Sequence, residues 1–151
     1  MEKVYQKTLH FLSFRPRSEK EIKDFLRKKT KDETVSKQII FRLKEEKLVD
    51  DMEFVDWWIQ QRMEFNPKGK AYLRQELLQK GIDRELINEK LDKISDETWL
   101  FAANKVVDKK AYLYIDLDLK DRKNKLTKLL LVRGFDYEVS KIAVDAHLQK
   151  R

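Results

Sequence analysis

Residues 73–91 read LRQELLQKGIDRELINEKL, and the fold follows from this stretch. Leu73, Leu77 and Leu78 recur at helical spacing and stop at Gly81, the residue type that most readily takes the left-handed conformation closing a helix. Asp83 then stands where a carboxylate accepts from free backbone N–H groups, and Leu86, Ile87, Leu91 and Ile94 supply the apolar stripe of the next helix. Upstream, Asn66-Pro67 is expected to open the Leu73 helix, because proline suits a first helical turn. Before that, Asp51 is expected to cap a helix bearing Phe54, Val55, Trp58 and Ile59. Three helices with matching apolar faces make one packable unit.

The same unit recurs on either side. Towards the N-terminus, a helix from Glu2 to Phe14 carries Tyr5, Leu9 and Leu12, and Arg15-Pro16-Arg17 ends it. Ser18 and Glu21 form a capping-box pattern ahead of Ile22, Phe25 and Leu26. Asp32 precedes Val35, Ile39, Ile40 and Leu43. Towards the C-terminus, Ser95 opens a helix with Trp99, Leu100, Ala103 and Val106. A second helix runs through Leu126, Leu129 and Leu130 to Gly134, and Asp136 opens a third with Val139, Ile142 and Val144. Between them Tyr112 to Leu119 alternates apolar and polar residues, as an extended linker would.

These series superpose. Lys80-Gly81-Ile82-Asp83 falls on Arg133-Gly134-Phe135-Asp136 at an offset of 53 residues, and Ile22, Leu26, Asp32, Val35 and Ile40 fall on Leu73, Leu77, Asp83, Leu86 and Leu91 at an offset of 51. An ordered series of core and cap positions predicts an all-α chain of three tandem three-helix, helix-turn-helix-like repeats, at 1–50, 51–94 and 95–151. Each copy is too small to bury much core alone, so the expected form is an elongated array and a monomer.

Composition agrees. Of 151 residues, 40% are charged, with only 3 glycines and 2 prolines, too few turn residues for a multi-hairpin β protein. Cysteine is absent and there are 2 histidines, so thiolate chemistry and Cys-ligated metals are excluded, and a histidine metal site is hard to assemble. The opening Met1-Glu2-Lys3-Val4-Tyr5 has no long apolar run and no later segment suits a bilayer, so the cytoplasm is the expected compartment, with no membrane partner. The net charge of +7 is unevenly spread: +5 over residues 1–50, −3 over 51–100 and +5 over 101–151. Two basic ends around an acidic middle suit an extended polyanion or a large acidic partner better than a small ligand.

The run Phe14-Arg15-Pro16-Arg17-Ser18 resembles the opening signature of the RecX regulatory proteins. So do Leu48-Val49-Asp50-Asp51 followed by Phe54, Trp58 and Arg62, the stretch Leu73-Arg74-Gln75-Glu76-Leu77 with Lys80-Gly81-Ile82, and Lys125-Leu126 through Arg133-Gly134-Phe135. The resemblance covers nearly the whole chain. It implies three tandem three-helix repeats and binding to the RecA recombinase–DNA filament. It also implies inhibition of filament extension, ATP hydrolysis and strand exchange, and so a role in DNA repair and recombination. The 112–119 stretch and the adjacent Trp57-Trp58 depart from the family pattern.

Candidate chemistry is sparse. Asp50-Asp51 and Asp116-x-Asp118 are the best acidic pairs for a hard cation, but both sit at expected helix starts, where capping explains them. His147 matches the core position of Ile94, and no phosphate loop or nucleophile motif occurs. No catalytic residue, metal or cofactor is therefore assigned. The basic clusters carry more. Lys20, Lys23 and Arg27 lie nearly opposite the Ile22 stripe; Lys125 and Lys128, with Lys120, Arg122 and Lys123 before them, lie opposite the Leu126 stripe. With Arg15 and Arg17 they are the candidate RecA- and DNA-binding residues. Trp58 is expected in the core, Trp57 as an exposed contact, and Arg62 over the core paired with a carboxylate. The alternative reading is a basic helical protein that acts directly on single- or double-stranded DNA.

Overall fold

A computed structural model describes residues 1–150. Nine α-helices make up nearly all of the described residues: α1 Glu2–Phe14, α2 Glu19–Lys29, α3 Glu33–Glu45, α4 Asp51–Phe65, α5 Lys70–Gln79, α6 Arg84–Asp92, α7 Asp96–Lys110, α8 Leu119–Val132 and α9 Tyr137–Gln149. Side-chain caps start many of them. Ser18 and Glu21 complete a reciprocal capping box on α2, and Asp32, Asp118 and Asp136 accept backbone N–H groups at the starts of α3, α8 and α9. Asp83 does the same for α6 and Ser95 for α7.

The chain packs as two compact units, Met1–Trp58 with Leu77–Ile87, and Ile59–Glu76 with the residues from Asn88 onward. The first has a core of Tyr5, Ile22, Leu26, Ile39, Ile40, Leu43 and Val49. Side chains of this size each gain about 1.5–3 kcal/mol on full burial, so this cluster stabilises the unit substantially. Tyr5 reaches through it to donate from its hydroxyl to Glu46 at 2.6 Å, with the Arg42 guanidinium 3.7 Å from its ring centre.

In the second unit, Ala102, Ala103, Val106 and Val107 of α7 meet Leu126 and Leu130 of α8 and Ala143 and Val144 of α9, with Phe135 closing the turn between α8 and α9. The alanines and the buried Ser140 let α7 and α9 approach closely. Ile142, expected on the stripe of α9, is instead exposed, because the face towards α7 is set by Ser140, Ala143 and Val144.

Two further expectations are corrected. The 112–119 stretch is not extended. Ala111–Tyr114 is a 3₁₀ turn continuing α7, and Asp118 caps α8 immediately after. Within the stretch Tyr112, Leu113 and Ile115 are exposed while Tyr114 packs inward. Nor does α5 start at Pro67: Asn66 to Gly69 is a loop and the helix begins at Lys70. Its first donors are met by backbone carbonyls from the end of α8, Gly69 N–H to Arg133 O at 2.8 Å and Ala71 N–H to Gly134 O at 3.3 Å. The positive start of one helix thus meets the negative end of another. Glycine is required at this joint: a Cβ on Gly69 would lie 2.2 Å from the backbone of Gly134, and Gly134 itself has φ +94°.

The first unit contains an equivalent joint. The hydroxyl of Ser18, at the start of α2, donates to Lys80 O at 2.8 Å, where α5 ends in Gly81 at φ +78°. The two left-handed glycines are the pair that superpose in sequence at an offset of 53.

Candidate functional site

No three acidic or histidine side chains converge among the described residues in a way that would hold a metal. No helix is long and apolar enough to cross a membrane. Three of the four members of the acidic pairs have backbone roles. Asp50 accepts Met52 N–H at 2.9 Å, and Asp118 accepts Asp121 N–H at 2.8 Å. Asp51 does not cap its own helix. It accepts Glu19 N–H at 2.9 Å, in the first turn of α2. Burial, opposed by that N–H and reinforced by the Glu19 carboxylate, raises the Asp51 carboxyl above the usual range. His147 is half-buried, with Nδ1 3.4 Å from Asp108.

The ten candidate basic residues divide by what they touch. Arg15 and Arg17 are half-buried and committed within the first unit. The Arg15 guanidinium forms a two-pronged pair with Glu21 and lies 5.7 and 5.9 Å from the rings of Trp57 and Trp58. Lys80 joins the same carboxylate at 3.3 Å. Burial opposes ionisation of Glu21, but Arg15, the Ser18 N–H and Lys80 outweigh it and hold the carboxyl below the usual range. Arg17 caps the ring of Phe11 at 3.9 Å and donates to Phe11 O. Trp58, expected in the core, is not fully buried: it and Trp57 are both half-exposed, packed on each other and on Phe54.

On α2, Lys20, Lys23 and Arg27 are exposed as expected, yet each has a carboxylate. Lys20 pairs with Asp24 at 3.2 Å, Lys23 with Glu19 at 3.1 Å and Arg27 with Asp24 at 3.1 Å. Paired surface cations of this kind are partly neutralised and project a weaker field than their number implies.

In the second unit, Arg122 is engaged by backbone carbonyls. It donates to Ile115 O and Leu117 O at 3.3 and 3.1 Å and ties the 3₁₀ turn to α8. Lys123 pairs with Asp145 at 3.2 Å. Lys120, Lys125 and Lys128 remain exposed and without a carboxylate partner among the described residues, on the face of α8 away from Leu126 and Leu130. These three are the strongest phosphate-contact candidates of the ten. Arg62, placed by sequence over the core, pairs with Glu76 in this unit.

Sequence reasoning missed the groove between α1 and α2, where Lys3, Lys7, His10 and Phe14 share one face of α1 at helical spacing. That spacing was available as a signal. Lysines on a surface helix are ordinarily just solvated, so that spacing does not by itself mark a groove.

Comparison with known proteins places these features in a family. The model of the first three-helix domain of RecX matches residues 5–43, and that of the second matches residues 50–91. The Regulatory protein RecX of Oceanobacillus iheyensis is 35% identical over 144 residues, 95% of this chain and 53% of that protein. Its counterpart from Streptococcus mutans is 38% identical over 138 residues, 91% of this chain and 52% of that protein. The chain thus spans about half the length of the curated relatives it matches. The crystal structure of RecX from Lactobacillus salivarius superposes with a TM-score of 0.82 at 26% identity, over 96% of this chain and 94% of that one.

Proposed function

This chain belongs to the RecX family, and from that premise we propose that it is a regulator that binds the RecA recombinase–DNA filament and inhibits it without chemistry of its own. The observation that carries this is the ordered match to both RecX three-helix domains, continued by similarity to proteins named as regulators over 95% of the chain. The repeats are assigned to 1–50, 51–94 and 95–151, the third being the copy that carries Lys120, Lys125 and Lys128. In this mechanism the helical repeats contact neighbouring RecA protomers while the unpaired lysines of α8 approach DNA phosphate. A groove so occupied obstructs incoming duplex and resists the subunit rearrangements that ATP turnover requires. Growth of the filament stops as well, and the protein works in the cytoplasm in DNA repair and recombination.

Added to a RecA filament on single-stranded DNA, substoichiometric amounts should lower ATP hydrolysis and strand exchange, while the protein alone hydrolyses nothing. Excess bare DNA is the control. Inhibition fully relieved by it, with no direct RecA contact detectable, would favour the second reading, a basic helical protein acting on DNA itself. The exposed, unpaired state of Lys120, Lys125 and Lys128 is the observation on which that second reading rests.

A further inference from the structure

Between α1 and α2 lies a cleft of about 650 Å³, within the usual range of ligand-binding clefts, about 300–1,000 Å³. Lys3, Lys7, His10 and Phe14 line it from α1, and Phe25 and Lys29 from α2. From residue 3 to residue 14 the groove extends about 16 Å at the ~1.5 Å rise of a helix, or three turns.

Its charge is one-sided. No carboxylate lines it, and Lys3, Lys7 and Lys29 have no ion-pair partner among the described residues. The lysines on the adjoining face of α2 contrast with this, since Lys20 and Lys23 are each neutralised by a neighbour. Its floor is apolar but closed to stacking. Phe11 and Phe25 lie parallel at 4.3 Å, Arg17 covers Phe11 at 3.9 Å, and the Lys29 ammonium lies 5.4 Å from the Phe25 ring centre. Single-stranded nucleic acid is held by bases stacking on open ring faces in succession. Here each of the two floor rings already has two neighbours. Phe14, 69% exposed at the rim and set edge-to-face with His10 at 4.9 Å, is left to fold over an inserted side chain.

We propose that this groove is a docking site for an acidic protein segment, its carboxylates meeting Lys3, Lys7 and Lys29 while one apolar anchor enters between Phe14 and Phe25. The three-turn length suits a short amphipathic helix laid along α1. This goes beyond filament binding by the lysines of α8 and does not depend on it.

The test titrates the intact chain into a fluorescein-labelled, glutamate-rich peptide of about twelve residues, with phenylalanine and leucine on one helical face, and follows anisotropy. Neither RecA nor DNA is present, so the outcome is separate from the filament proposal. Replacing the peptide's apolar residues by serine should weaken binding about tenfold, as should Phe14→Ser or the pair Lys7→Glu and Lys29→Glu in the protein. The pair Lys125→Glu and Lys128→Glu should leave peptide binding within about twofold. All the altered residues of the groove lie at its exposed surface, and circular dichroism verifies that helicity is retained. Three results would overturn the proposal: no binding at about 1 mM peptide, equal binding with and without the apolar anchor, or displacement by oligothymidylate whose own affinity falls in Phe14→Ser. The last would assign the groove to nucleic acid.

Discussion

Gly69→Ala tests the joint between α5 and α8 directly. The added methyl carbon would lie 2.2 Å from Gly134 C and Phe135 N and 2.3 Å from Gly134 O, all backbone atoms with no rotamer to escape into. Ordinary contact begins near 3.5 Å, so the joint must open by about 1 Å. That carries Gly69 N–H and Ala71 N–H, now 2.8 and 3.3 Å from their carbonyls, out of hydrogen-bonding range. Each donor left unmet costs about 1–3 kcal/mol, and the stiffer unfolded chain returns up to about 1 kcal/mol. The net loss is about 1–5 kcal/mol, a large part of a domain's ~5–15 kcal/mol. Urea unfolding followed by far-ultraviolet circular dichroism should show the midpoint falling by about 1–3 M. Gly81→Ala provides the comparison. Its methyl meets Lys20 Cβ and Cδ at 2.6 Å, so α2 must give way there, and the left-handed backbone at φ +78° adds about 1–2 kcal/mol. If Gly69→Ala unfolded within about 0.5 kcal/mol of the parent, the joint would not work as described.

Arg122→Ala should cost about 1–3 kcal/mol through the two lost carbonyl contacts, while changing DNA affinity less than the pair Lys125→Glu and Lys128→Glu. That pair should lower the salt slope of any DNA binding by about 1–2, because two phosphate contacts release fewer counterions when removed. The Glu21 carboxyl is held low, so its ion pairs contribute stability above the unfolded value of about 4.3, lost as pH falls through the folded value. Acid unfolding of Glu21→Gln should therefore be less steep below about pH 4. Asp51 is raised, so its contribution has the opposite sign, greatest below about pH 3.9 and lost as pH rises through the folded value. Asp51→Asn should remove that part of the pH dependence.

The all-α repeat was legible because its determinants are local. Leu73, Leu77, Ile87 and Leu91 are all buried where helical spacing places them, and Asp32, Asp83 and Asp136 all cap. The misplacements share a cause, in that a distant partner decided each one. Pro67 gives a proper local start signal, but the donors of α5 are met by carbonyls from Arg133 and Gly134, some 65 residues away in sequence. Asp51 is a good cap by position, yet the N–H it accepts belongs to Glu19. Ile142 fits an apolar stripe until the small residues of α7 select the neighbouring face of α9. The basic clusters were found as clusters; which cations stay free was not visible, because pairing depends on where carboxylates such as Asp145 fall in space.

Binding to a pre-formed RecA filament, set beside binding to the same length of bare single-stranded DNA, tests the central proposal most directly. Co-sedimentation of the intact chain at physiological salt should show it in the pellet with filament at concentrations where bare DNA retains little. Pairing Lys125→Glu with Lys128→Glu should weaken filament binding without abolishing it, since protein contacts remain. Equal binding to bare DNA and filament, lost together in the double variant, would contradict the regulator and leave a DNA-binding protein in its place.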